Sequence, residues 1–125
     1  MFTNNDPSFQ SATQINSSSG NQAAATATAT LPAITNRFNY LSGFEITAGG
    51  GTAAAILTAT ITGCAGGTMS YAFPYPTGAT LPATPLTVEF FTPMQASGPG
   101  VAIAVSLPAI AGGTNACVCA HGFVL

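Results

Sequence analysis

Apolar side chains recur at every second position in seven separate runs of this chain, and a period of two restricts those runs to extended backbone with opposite faces. In Ala23-Ala24-Ala25-Thr26-Ala27-Thr28-Ala29-Thr30-Leu31 the odd positions are apolar and most even ones carry hydroxyls. Alanine would also suit a helix, but β-branched threonine at alternate positions loses χ1 freedom there and favours a strand. Phe38 and Tyr40 share a face, and after Gly43 so do Phe44 and Ile46, with Glu45 and Thr47 turned the other way. Leu57, Ala59 and Ile61 oppose Thr58, Thr60 and Thr62; Met69, Tyr71 and Phe73 oppose Thr68 and Ser70. Leu86, Val88 and Phe90 oppose Thr87 and Glu89, and Val101, Ile103, Val105 and Leu107 oppose Ala102, Ala104 and Ser106. In the last run, about 115–124, Ala116, Val118 and Val124 face away from Cys117, Cys119, His121 and Phe123.

Three short glycine-rich words punctuate the runs: Ala48-Gly49-Gly50-Gly51-Thr52, Ala65-Gly66-Gly67-Thr68 and Ala111-Gly112-Gly113-Thr114. Paired glycines supply the positive φ angles of tight turns, so an antiparallel hairpin is expected at each. The longer connections, about 74–85 and 92–100, hold Pro74, Pro76, Pro82, Pro85, Pro93 and Pro99 and are expected to cross between sheets or cover an edge. About seven short strands without a helical segment predict an all-β protein, an antiparallel β-sandwich. A jelly roll and an immunoglobulin-like Greek key both fit this pattern. Residues 1–21, rich in Asn, Ser, Gln and Thr, predict a flexible or extended N-terminal arm, leaving 22–125 as one sandwich domain.

Charge is nearly absent. Of 125 residues only Asp6, Arg37, Glu45 and Glu89 are ionised at neutral pH, 3% against about 25% in ordinary soluble domains. One Arg and no Lys cannot neutralise a phosphate backbone, which excludes direct nucleic-acid binding. Three carboxylates and one His are little material for acid–base catalysis, so no enzymatic activity, no catalytic residue and no cofactor is expected. No apolar stretch approaches the roughly 18 residues of a membrane helix, and the opening Met1-Phe2-Thr3-Asn4-Asn5-Asp6 lacks the features of a secretory signal. Synthesis in a cytoplasm and no membrane partner are therefore expected. A net charge of −2 is small for keeping a free domain dispersed and points to a permanent partner surface, including self-association.

The chemistry-bearing residues are few. Cys117, Cys119 and His121 project from one strand face and are soft metal ligands, but extended spacing spreads them over about 13 Å, too far for one ion. Cys119 and His121 lack an orienting carboxylate nearby in sequence, which argues against a nucleophile and its base. An odd number of cysteines without a secretory signal favours reduced thiols; pairing of Cys64 with Cys117 or Cys119 stays geometrically open. Arg37 can pair with Glu45 or Glu89, and at a subunit contact such a pair would fix orientation. The Thr26, Thr28, Thr30 and Thr58, Thr60, Thr62 sets suggest a flat hydroxyl array of the ice-binding kind, although no constant period joins them.

Over residues 37–124 the chain resembles the small β-sandwich proteins encoded among the structural genes of tailed bacteriophages. The resemblance rests on Tyr40-Leu-Ser-Gly-Phe-Glu-Ile-Thr-Ala-Gly-Gly-Gly, the Gly-Gly-Thr turns, the Leu86-Thr-Val-Glu-Phe strand and the closing Ala120-His-Gly-Phe. It implies a virion component of the capsid decoration, or cement, type. Such a subunit binds junctions between major capsid proteins on the outside of the head and reinforces the shell against internal DNA pressure. A tail- or fibre-associated subunit is the alternative within the same group. The scarcity of charge departs from many members of the group.

Overall fold

The structure is a computed structural model that describes residues 12–78, 81–110 and 115–125. Among the described residues there are nine strands and no helix, and so no helix long and apolar enough to cross a membrane. They are β1 (Thr13–Ser18), β2 (Gln22–Ala23), β3 (Ala27–Leu31), β4 (Asn39–Gly49), β5 (Ala55–Thr62), β6 (Met69–Tyr75), β7 (Leu86–Gln95), β8 (Ile103–Leu107) and β9 (Asn115–Val124). Two antiparallel sheets pack face to face. One has the order β1-β9-β4-β7 with β2 also on β9; the other has the order β3-β8-β5-β6.

The pairings β1–β9, β3–β8, β4–β7 and β5–β6 are all antiparallel and nest one inside the next around the turn after β5. A long hairpin rolled up so that its successive strand pairs alternate between two sheets is a jelly roll, and this topology settles the choice the sequence pattern left open.

Alternation decides what is buried. Ala27, Ala29 and Leu31 of β3, Ala59 and Ile61 of β5, Ile103, Val105 and Leu107 of β8, and Ala116, Val118 and Ala120 of β9 all face the interior, as their spacing predicts. Aromatic residues thicken the core where the alanines leave space. Phe44 meets Tyr71 edge-on at 5.3 Å between ring centroids and Phe90 at 6.4 Å.

Three expectations are corrected. First, only the Ala65–Thr68 turn joins a hairpin, β5 to β6, with Gly67 at φ 100° and its N–H donating to the Cys64 carbonyl. The Ala48–Thr52 stretch instead links β4 and β5, which lie in different sheets. Its glycines serve close approach: a Cβ on Gly51 would sit 2.8 Å from the Tyr75 ring. The third word, at 111–114, lies outside the described residues; β8 and β9 belong to different sheets and do not pair with each other as a hairpin. Second, the run 23–31 is not one strand. It breaks at Ala24, which has φ 50°, where the chain crosses from one sheet to the other. Third, within the expected arm, residues 13–18 form β1, an edge strand on β9 of the same chain. Polar composition did not mark it because an edge strand can present hydroxyl and amide side chains on its outer face while Ile15 alone packs against the core. Strand β4 also changes phase along its length. A register shift between Leu41 and Gly43 turns Asn39 and Leu41 inward before it and Phe44 and Ile46 inward after it, leaving Tyr40 outside, stacked on Phe123 at 4.8 Å.

Candidate functional site

The register shift in β4 also assembles the one cluster of titratable side chains among the described residues. On the outer face of the five-stranded sheet, β9, β4 and β7 lie side by side. His121 of β9 is opposite Gly43 of β4, and Gly43 is opposite Glu89 of β7. Because the middle strand carries no side chain there, Glu89 reaches over it to the imidazole. Its carboxylate lies 3.0 Å (Oε1) and 3.2 Å (Oε2) from His121 Nε2. A Cβ at Gly43 would meet the Glu89 carboxyl group at 2.8 Å and the Val88 carbonyl oxygen at 2.6 Å. Glu45, two residues further along β4, approaches the other side of the ring, with Oε1 3.8 Å from Nδ1. The side chains of His121, Glu45 and Glu89 are 28%, 45% and 60% exposed, so the cluster is open to solvent.

Beside it lies a shallow depression of ≈ 480 Å³ lined by Gln14, Asn16, Ser17 and Ser18 with Glu45, Cys119, Ala120 and His121. Ser18 Oγ stands 3.6 Å from the sulfur of Cys117 and 3.6 Å from that of Cys119. All three cysteines are free; Cys64 is buried at the β5 end of the hairpin turn, away from the outward face that carries the other two.

Cys117, Cys119 and His121 therefore share a face as predicted, yet they form no joint ligand set; the group that could hold an ion is Glu45, Glu89 and His121. The physical reason is spacing. Residues i, i+2 and i+4 run along a strand at about 6.6 Å per step, whereas neighbouring strands lie only about 4.8 Å apart. Glu45 and Glu89, which the sequence offers as partners for Arg37, both lie against His121. Arg37 lies in the turn before β4, where its carbonyl accepts from the Gly100 N–H. Gly43 carries no functional group, and its one sequence signal is that of a glycine inside a strand run, the mark of a bulge or a close approach.

The orienting carboxylate that Cys119 and His121 lack nearby in sequence is supplied in space by Glu45 and Glu89, but the Cys119 thiol is hydrogen-bonded to the Ser18 hydroxyl and, among the described residues, not to the imidazole. No protein-family model matches the chain, and no curated protein matches it.

The outer face of the other sheet differs in kind. Ser70, Thr60, Ser106 and Thr28 stand in register across β6, β5, β8 and β3, and the Thr28 and Ser106 hydroxyls are 2.9 Å apart. Thr62, Ala104 and Thr30 form the next row. Ile56 adds an apolar side chain that is 72% exposed. No Asp, Glu, Lys, Arg or His falls on these four strands.

Proposed function

We propose that this protein is a non-enzymatic structural subunit of a virion, a capsid decoration protein that attaches to the outer surface of a phage head and stabilises it. The observation that carries the reading is the charge-free outer face of the four-stranded sheet. Covering a face of hydroxyls, alanines and Ile56 strips no ion of its water, so its burial against another protein costs little. With only four charged residues in the chain, repulsion opposes that burial weakly. Phe91, 105% exposed on edge strand β7, and Leu81, 51% exposed, add apolar anchors of the sort that interfaces bury. Jelly rolls are frequent in viral capsids, although a fold of this kind hosts many functions. On this reading the hydroxyl face rests on the major capsid protein and the His121 face looks outward.

Copy number per particle tests it. Quantitative mass spectrometry of purified particles should find hundreds of copies; a few to a few dozen would assign the chain to the tail or a fibre. A purified chain that stays monomeric at high concentration and binds no capsid would overturn the reading.

A second reading, ice binding, is favoured by the same in-register rows of hydroxyls, which the sequence spacing alone did not reveal. Thermal hysteresis of the purified monomer decides it, and Thr60→Lys in the centre of the row should abolish any such activity.

A further inference from the structure

We propose that Glu45, Glu89 and His121 bind one divalent transition-metal ion of the zinc class on the outward face of the five-stranded sheet, independently of what the opposite sheet contacts. The chain contains three carboxylate side chains and one histidine in all. Two of those carboxylates and the histidine converge from three different strands, with their ligand atoms within 4.8 Å of one another. One imidazole with two carboxylates is a donor set for Zn²⁺, Co²⁺ or Ni²⁺, whereas Mg²⁺ and Ca²⁺ prefer oxygen alone.

The geometry suits an ion at Nε2. In a tetrahedral zinc site with ligand bonds of about 2.0–2.1 Å, neighbouring ligand atoms are separated by about 3.3 Å. The 3.0–3.2 Å from His121 Nε2 to the two Glu89 oxygens is close to that edge, so an ion fits between them with little movement. Glu45 must close in, and at 45% exposure its side chain is free to do so. Water completes the coordination from the open side. Gly43 is the positioning residue, since any side chain there would occupy the path of the Glu89 carboxylate. A bare His–Glu contact at this exposure contributes little to stability, which leaves ligand binding as the stronger use of the arrangement.

The test is calorimetric titration of ZnCl₂ into the full-length chain carrying Cys117→Ser and Cys119→Ser, so that the two outward thiols cannot supply donors. One ion should bind per chain. Affinity should fall at least about tenfold in Glu89→Gln and in Glu45→Gln, and saturable binding should vanish in His121→Ala. In the unsubstituted imidazole, the ring resonances of His121 should shift on addition of zinc. Each variant is checked by circular dichroism, and Glu89→Gln, which keeps the side-chain shape, carries the test if His121→Ala does not fold. No saturable binding to the doubly substituted chain overturns the proposal. So does binding that His121→Ala leaves intact, or binding that disappears when only the two cysteines are replaced.

Discussion

Asn39 shows how one polar residue can hold two sheets together. It is 1% exposed, and its side-chain amide faces the carbonyls of Leu31 (3.1 Å), Pro32 (2.8 Å) and Val101 (3.2 Å), joining the end of β3, the start of β4 and the approach to β8. Replacement by alanine removes the donor from all three carbonyls. Asn39→Ala should lower the free energy of unfolding by about 1–3 kcal/mol, read from the midpoint of a urea transition. Cys64 offers a test in pH. It is 5% exposed, and burial pushes its thiol above the usual 9.0. The folded state therefore holds this proton more tightly than the unfolded chain does. Its contribution is complete below the unfolded value and is lost as pH rises from there through the folded value. Stability should fall above about pH 9, and that fall should be smaller in Cys64→Ala. Equal slopes for the two proteins between pH 8 and pH 10 would contradict this.

At the scale of elements, β1 is the least expected and the most consequential. It covers the outer edge of β9 through six paired residues from Thr13↔Val124 to Ser18↔Cys119, and Ser17 Oγ accepts from the Thr30 N–H of the opposite sheet. Without it, β9 becomes an open edge with unpaired N–H and C=O groups, a template for another chain. Deleting residues 1–19 should leave a folded but less stable protein, losing roughly 1–2 kcal/mol of Ile15 burial alone. The truncated chain should self-associate in analytical ultracentrifugation where the full chain does so less; identical sedimentation would show that β1 does not guard this edge. The turns carry a related lesson. The glycine-rich words at 48–52 and 65–68 read alike, but only the second is a hairpin. Glycine permits both a tight turn and a close backbone crossing, so its presence marks an interruption without naming the strand that follows as a neighbour. The phase change in β4 was equally hidden, because a bulge is defined by the partner strand it faces.

Over the whole molecule, the nested pairing makes nearly every sheet contact long-range; Ser18 and Cys117 touch across 99 residues of sequence. Closing such loops costs chain entropy before the contacts repay it, so folding should take milliseconds to seconds by stopped-flow fluorescence. A folding time in microseconds would argue that the jelly roll is not the native topology. The sequence by itself determined the fold class and, for most strands, which side chains face inward, because alternation is a local property of extended backbone that needs no partner. It also determined the scarcity of charge that makes covering the hydroxyl face cheap. Only the tertiary structure decided which strands are neighbours, and with that the jelly-roll order, the edge role of β1 and the partners of His121. Glu89 stands 32 residues from His121 in the chain yet 3.0 Å from it in space. Such proximity is created by hydrogen bonding between strands, and side-chain periodicity within one strand holds no information about which other strand lies alongside.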